Sequence, residues 1–88
     1  MLSELKTKSK VIGVKQSLKA VKAGQALRVY VAEDADPALL EPIQSHCADE
    51  QIDVIAVESM AVLGQACGID VGTAAAALLA KEKPLPTE

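Results

Sequence analysis

Three lysines, Lys15, Lys19 and Lys22, recur at helical spacing in the segment GVKQSLKAVKAG, which begins at Gly13. At 100° per residue they fall on one side of a predicted helix, beside an apolar stripe that faces the core. Lys15 lies in the first turn, where the helix dipole disfavours a cation by about 0.3–1 kcal/mol. A helix amino end preceded by glycine and not neutralised by an acid is suited to bind an anion. The alternative is a solvated helix face, which most lysine rows are.

Charge is segregated along the chain, although the net charge is only −3. Residues 1–28 carry seven Lys or Arg against a single Glu, a net +6. Residues 29–80 carry nine acidic residues and no Lys or Arg, a net −9. This segregation indicates a polyanionic partner that one part of the molecule contacts, while the acidic remainder repels phosphate elsewhere. Chance asymmetry in a short chain is the alternative.

The other clusters of reactive side chains favour structural roles. The acidic residues of segment 33–36 lack the regular ligand spacing of an EF-hand, and Asp36 before a proline is a helix cap, so no metal site is expected. Neighbouring residues on a helix point about 100° apart, so His46 and Cys47 cannot form a base–nucleophile pair. The chain has no second histidine. The sequence therefore predicts a protein that is not an enzyme and holds no cofactor.

The loop GIDVG, residues 68–72, places two apolar side chains, Ile69 and Val71, between two glycines. In the structural interpretation these side chains anchor the loop to the core. In the functional interpretation they form an apolar cover for a flat group such as an unstacked base. The residues alone favour anchoring and leave both interpretations open.

The elements that must position these residues alternate between helix and strand. Gly24, the pair Asp36-Pro37 and Ser59 mark predicted helix ends. Helices are predicted at 2–9, 14–23, 37–50 and 60–67, and strands at 11–12, 27–33 and 53–58. The run TAAAALLA, residues 73–80, is typical of a helix by propensity alone, because alanine is the best helix former. Alternating elements imply a sheet between helical layers.

Size and composition predict one small domain with an aliphatic core. The chain has 88 residues, half of them apolar, and Tyr30 is its single aromatic residue. The two cysteines have no metal or redox spacing, and no signal peptide or membrane-spanning run is present, which favours a cytoplasmic protein. We expect one domain over 1–82 and a frayed tail over 83–88.

Three segments, GVKQSLKAVKAG, VAEDADPALL and VESMAVLGQACGIDVG, strongly resemble the kink-turn-binding ribosomal protein family of archaeal L-seven-Ae type. The nearest match is its bacterial, L-seven-Ae-like branch, and the resemblance runs from about residue 10 to residue 80. It implies an α/β fold, a three-layer α/β/α sandwich with a four-stranded mixed sheet. In that fold TAAAALLA is a central strand, which fits because a strand buried on both faces forms a continuous apolar run.

The resemblance also implies which residues bind RNA. The family pattern Gly-x-Asn-Glu-x-x-Lys falls on residues 13–19, where Gly13 would admit the phosphates and Gln16 would accept from guanine edges. Lys19 would donate to a guanine edge or to phosphate. The loop after the last predicted helix would cover the flipped-out bulge nucleotide. The implied RNA-binding residues are Gly13, Val14, Lys15, Gln16, Lys19, Lys22, Asp36, Gly68, Ile69, Asp70 and Val71.

Two features depart from the family pattern. Lys15 and Gln16 replace Asn-Glu, and a glutamine offers one acceptor and one donor where a carboxylate accepts twice. Base reading is therefore expected to be weaker and phosphate attraction stronger. Met60 stands where many relatives carry a lysine, which removes another contact.

Together these observations predict a monomeric, cytoplasmic protein that recognises kink-turns in structured RNA, such as rRNA or an mRNA leader, and stabilises the bend. The protein would be ribosomal or ribosome-associated, without DNA or membrane partners. The lack of Phe and Trp argues against the aromatic stacking platforms of other RNA-binding folds. The alternative is a protein–protein adaptor of the same fold whose lysines contact an acidic partner.

Overall fold

The computed structural model describes residue 5 and residues 9–79, along which strands and helices alternate. The elements are β1 Lys10–Ile12, α1 Val14–Lys22, β2 Ala26–Ala32, α2 Pro37–Glu50, β3 Asp53–Val57, α3 Met60–Cys67 and β4 Ala75–Leu79. Of the predicted helix over 2–9, the structure describes only Leu5, which is helical and buried, and Ser9, which is not helical. The tail over 83–88 lies outside the described residues. Within the described part, no helix combines the length and apolarity that a membrane crossing requires.

The helix ends follow the local chemistry predicted from the sequence. The Asp36 carboxylate accepts the Ala38 N–H at 2.9 Å, and the Ser59 hydroxyl accepts the Val62 N–H at 3.1 Å. Gly68 ends α3 in the left-handed conformation with φ 85°. These side chains and this backbone satisfy groups that a helix end leaves unpaired. The predicted helices at 37–50 and 60–67 are therefore confirmed at both ends.

The four strands form one mixed sheet in the order β1-β4-β2-β3. Strand β4 is antiparallel to both of its neighbours, whereas β2 and β3 are parallel. Helices α1 and α2 pack against each other on one face of the sheet, and α3 packs on the other. The predicted α/β/α sandwich is confirmed.

The alanine-rich run forms the central strand that the resemblance implied, not the helix that propensity favours. Ala75, Ala76, Ala77 and Leu78 are all fully buried. β4 pairs on both edges, so tertiary pairing outweighs alanine's intrinsic preference, and small side chains let both helical layers approach the sheet. The strand is shorter than the predicted 73–80, because Thr73 and Ala74 belong to the preceding loop.

One end of the sheet gathers most of the connecting segments. Because β4 is antiparallel to β1 and β2, and β3 is parallel to β2, β4 begins at the end of the sheet where the other three strands finish. Ile12 pairs with Ala76, and Val31 pairs with Ala75. This end, called the loop end below, carries Gly13, the segments 33–36 and 58–59, and the last residues of the segment 68–74, which return along α3 into β4.

Candidate nucleic-acid interface

Helix α1 presents an uncapped amino end at the loop end. Gly13 precedes the helix with φ 106° and ψ 157°, no side chain caps it, and its first turn contains no acidic residue. The first intrahelical hydrogen bond runs from the Ser17 N–H to the Gly13 carbonyl, at 2.9 Å. The N–H groups of residues 14–16 therefore have no acceptor within the helix. Together with the helix dipole, they create a site of positive potential.

The polar side chains of α1 other than Ser17 face solvent, as the sequence pattern predicted. Lys15, Gln16, Lys19 and Lys22 are exposed, whereas Ser17 is completely buried. With a rise of 1.5 Å per residue, the three lysines span about 10 Å along the helix axis. Lys15 and Gln16 lie at the loop end, and Lys22 lies at the far end of α1. The structure thus places the lysines on an exposed helix and does not bring all three to the loop end.

The loop 68–72 combines the two interpretations that the sequence left open. Ile69 is partly buried and packs against the hydrophobic core. Val71 is 69% exposed, a high value for a large apolar side chain, and Asp70 is also exposed. Ile69 therefore anchors the loop, while Val71 is available to cover a ligand.

Two glycines let this loop lie directly on α3. A Cβ atom on Gly64 would collide with the Val71 carbonyl oxygen, and one on Gly72 would lie 3.1 Å from Met60. The Thr73 N–H donates to the Met60 carbonyl at 3.2 Å. Sequence reasoning missed this contact, although a glycine inside a helix signals close approach of another segment.

A single carbonyl ties the start of α1 to the end of the loop. The Ala75 carbonyl accepts the Gly13 N–H at 2.8 Å and the Thr73 hydroxyl at 3.0 Å. The amino end of α1 and Thr73, the residue that follows the loop 68–72, are consequently held side by side. The start of α1 is thus joined to the end of the segment that carries the second part of the predicted site.

The acidic segment 33–36 stabilises the loop end through backbone contacts. The Asp34 carboxylate accepts the Met60 N–H at 2.8 Å, a contact between residues 26 apart in the chain. Asp36 is exposed and uses one carboxylate oxygen to cap α2. The role of Asp34 was missed, because nothing in the sequence shows which helix start it reaches. Two of the three carboxylates thus have structural partners.

The two cysteines take the structural positions predicted for them. Cys47 is completely buried, Cys67 is 5% exposed, and both are free thiols. Burial raises the pKa of each thiol above its ordinary value of 9.0, and the nearby Lys10 partly offsets that effect on the pKa of Cys67. A raised pKa keeps a thiol protonated and unreactive at neutral pH.

Comparison with solved structures identifies similar folds. A Bacillus halodurans protein of unknown function aligns with a TM-score of 0.80 and 26% identity, covering 92% of this chain and 85% of its own. The Giardia lamblia 15.5kD RNA binding protein aligns with a TM-score of 0.77 and 30% identity. That alignment covers 89% of this chain and 69% of the Giardia protein.

Comparison at the sequence level gives closer relatives. RNA-binding protein YbxF of Geobacillus stearothermophilus is 46% identical over 69 residues, covering 78% of this chain and 84% of its own. An RNA-binding protein of Halalkalibacterium halodurans is 47% identical over 68 residues, covering 77% of this chain and 83% of its own. Both names agree with the expectation that the chain is not an enzyme. The model of one protein family matches residues 2–84, so the chain belongs to the Ribosomal protein L7Ae/L30e/S12e/Gadd45 family.

Proposed function

We propose that this protein binds structured RNA by recognising a kink-turn and stabilises the bent conformation. Its family membership and its relatives, named RNA-binding proteins, support RNA as the ligand. The observation that carries the proposal is the junction at the Ala75 carbonyl, which links the uncapped end of α1 to Thr73, the residue that follows the loop 68–72. A straight duplex keeps its bases stacked, whereas a sharply bent RNA can present a groove and an unstacked nucleotide to these two surfaces together.

The amino end of α1 supplies the contacts to the RNA backbone and to base edges. Gly13 has no side chain, and a Cβ at this position would meet nothing within 4 Å, so phosphates can approach closely. Gln16 lies in the first turn and is exposed, in a position to contact guanine edges. Lys15 and Lys19 attract phosphate. Lys22 reaches phosphates farther along the duplex.

The loop supplies an apolar contact without an aromatic ring. Val71 is the exposed apolar side chain of this loop, and it covers the flipped-out nucleotide of the kink-turn. Gly68 and Asp70 allow the backbone to follow that nucleotide, and Ile69 fixes the loop to the core. Asp36, exposed at the same end of the sheet, contacts the bulge through its free carboxylate oxygen.

The replacement of Asn-Glu by Lys15-Gln16 sets the balance between affinity and selectivity. A glutamine accepts fewer hydrogen bonds from guanine than a carboxylate does, while a lysine adds attraction to any phosphate. We therefore infer strong dependence on salt and moderate preference for tandem G·A pairs. The protein acts as a monomer in the cytoplasm, as a ribosomal or ribosome-associated component that binds rRNA or an mRNA leader.

A pair of RNA stems tests the proposal directly. One stem contains a kink-turn, and the other has its tandem G·A pairs replaced by Watson–Crick pairs. We expect tighter binding to the first stem, and dyes on the two helical arms should show their approach on binding by energy transfer. Equal binding to both stems would refute kink-turn recognition, and binding to neither would favour the adaptor function. Crosslinking and sequencing of RNA bound in cells would identify the natural target.

Variants at two exposed glutamines test the role of the first turn. Gln16→Ala should lower the preference for the G·A stem, because it removes the side chain assigned to guanine edges. Gln44→Ala on α2 is the matched control, since it removes the same group from another exposed helix and should leave the preference unchanged. Equal losses of affinity for both stems in Gln16→Ala would contradict base reading by this residue.

A further inference from the structure

Strand β3 is an edge strand of the sheet, and its outer side has no strand partner among the described residues. Its inner side faces β2, since the Val57 carbonyl accepts the Glu33 N–H at 2.8 Å. Backbone groups of successive strand residues alternate in direction, so Val54 and Ala56 direct their N–H and C=O groups away from β2. Both residues are exposed. The outer side of β3 therefore offers four backbone hydrogen-bonding groups.

An apolar groove adjoins this open edge. It has a volume of about 250 Å³ and lies between α2 and the strands β2 and β3. Pro37 and Leu40 line it from the helix, and Val31 and Ala56 line it from the strands. Because Ala56 belongs to both features, a chain that pairs with β3 can place a side chain into the groove.

The acidic residues around the outer edge of β3 indicate which kind of partner can bind there. Residues 29–79 contain nine acidic residues and no Lys or Arg. Glu33 lines the groove, and the exposed Glu58 follows the last residue of β3. Asp53, the first residue of β3, is also exposed, but Arg28 of β2 lies opposite it in the sheet. This surface repels RNA. It also disfavours a second copy paired through β3, because such pairing would bring acidic residues of both copies together.

We propose that the outer edge of β3 and the adjoining groove bind an extended, lysine- or arginine-rich segment of a partner protein. The segment adds a strand beside Val54 and Ala56, inserts an aliphatic side chain beside Leu40, and places cations near Glu33 and Glu58. Strand addition of this kind draws affinity from backbone hydrogen bonds and specificity from side-chain pockets. Helix α1 packs over β4 and β1, toward the edge of the sheet that is opposite β3. The lysine row and the edge can therefore be occupied together.

Titration of the full ¹⁵N-labelled chain with a blocked KVKVKVK peptide tests this site. The amide signals of Val54 and Ala56 should shift in a saturable manner, and those of Lys15 and Lys19 should not. The matched EVEVEVE peptide should not bind, because it carries the same charge as the edge. Shifts spread over all acidic segments, without a maximum at β3, would overturn the proposal, as would equal binding of the two peptides.

Two substitutions separate strand addition from general charge attraction. Ala56→Pro removes an outward N–H while leaving the hydrogen bonds to β2 in place, and it should weaken peptide binding about tenfold. Glu58→Lys should weaken binding at least fivefold. The matched control is Asp49→Lys. Asp49 lies on the opposite face of α2 from Leu40, so this substitution should change affinity less than twofold. Equal effects of the two lysine substitutions would refute the site, whether or not the proline variant folds.

Discussion

The lysine row on α1 makes a quantitative prediction about the salt dependence of RNA binding. Lys15, Lys19 and Lys22 are exposed and span about 10 Å, so each can neutralise a different phosphate. Each phosphate neutralised contributes about 0.7 to 0.9 to the slope of log affinity against log salt concentration. Substitution of all three lysines by alanine should therefore reduce that slope by about 2 to 3 units.

The corresponding change in affinity is large enough to measure easily. Between 50 and 200 mM salt, a slope difference of 2 to 3 units corresponds to roughly a 16- to 64-fold difference in affinity loss. Fluorescence anisotropy of a dye-labelled kink-turn stem at several KCl concentrations gives both slopes. The triple arginine variant is the matched control, because it keeps the three charges and should keep the slope.

The result that would refute this reasoning is equally specific. If the triple alanine variant keeps the wild-type slope while folding normally by circular dichroism, the lysines do not contact phosphate. A change of about one unit would mean that a single lysine carries the electrostatic contact. Single substitutions would then identify the lysine that contacts phosphate. Lys22, at the far end of α1, would be the first lysine to exclude from the interface.

Three further predictions follow from buried groups and close contacts. Gly64→Ala gains about 1 kcal/mol of helix propensity but should displace the Val71 segment, weakening RNA affinity about tenfold by anisotropy. Ser17→Ala should raise the free energy of unfolding in urea by about 1 kcal/mol, because the buried Ser17 hydroxyl has no hydrogen-bond partner among the described residues. Because burial raises the pKa of Cys47 and Cys67, their contribution to folding stability is complete below their unfolded pKa and is lost as pH rises through the raised values.

Matched controls keep these predictions specific. Gln65→Ala, at an exposed position next to Gly64, should leave RNA affinity unchanged. Ser45→Ala, at an exposed position of α2, should not raise stability. A variant with alanine in place of both cysteines should lose less stability above pH 9 than the wild type does. If Gly64→Ala binds RNA normally, the position of the loop does not matter for binding.

The sequence predicted most of the elements, because their ends carry strong local signals. Asp36 with Pro37, Ser59 and Gly68 each act through contacts within a few residues, and such contacts are readable in sequence. The strand at 75–79 shows the limit of local reasoning. The intrinsic propensity of its alanines favours a helix. A strand is indicated only by the pairing with β1 and β2 or by the family resemblance.

The sequence predicted which residues form the candidate site, but not the contacts that hold the site together. The exposure of Lys15 and Gln16 follows from helical periodicity, and the structure confirms it. The different positions of Ile69 and Val71 did not follow, since both are apolar residues in one short loop. The contact between Asp34 and Met60 joins residues 26 apart, and its existence depends on how the sheet end is assembled. A contact between residues so far apart in the chain can be recognised only once the fold is known.

The alanines of β4 also determine how this domain can change during evolution. Ala75, Ala76 and Ala77 are fully buried between two layers of helices, so any larger side chain there would push a layer away from the sheet. We therefore expect natural variation to avoid the middle strand and to accumulate on the solvent-facing turns of the helices. New ligand preferences would then arise by exchange of surface charges over an unchanged interior.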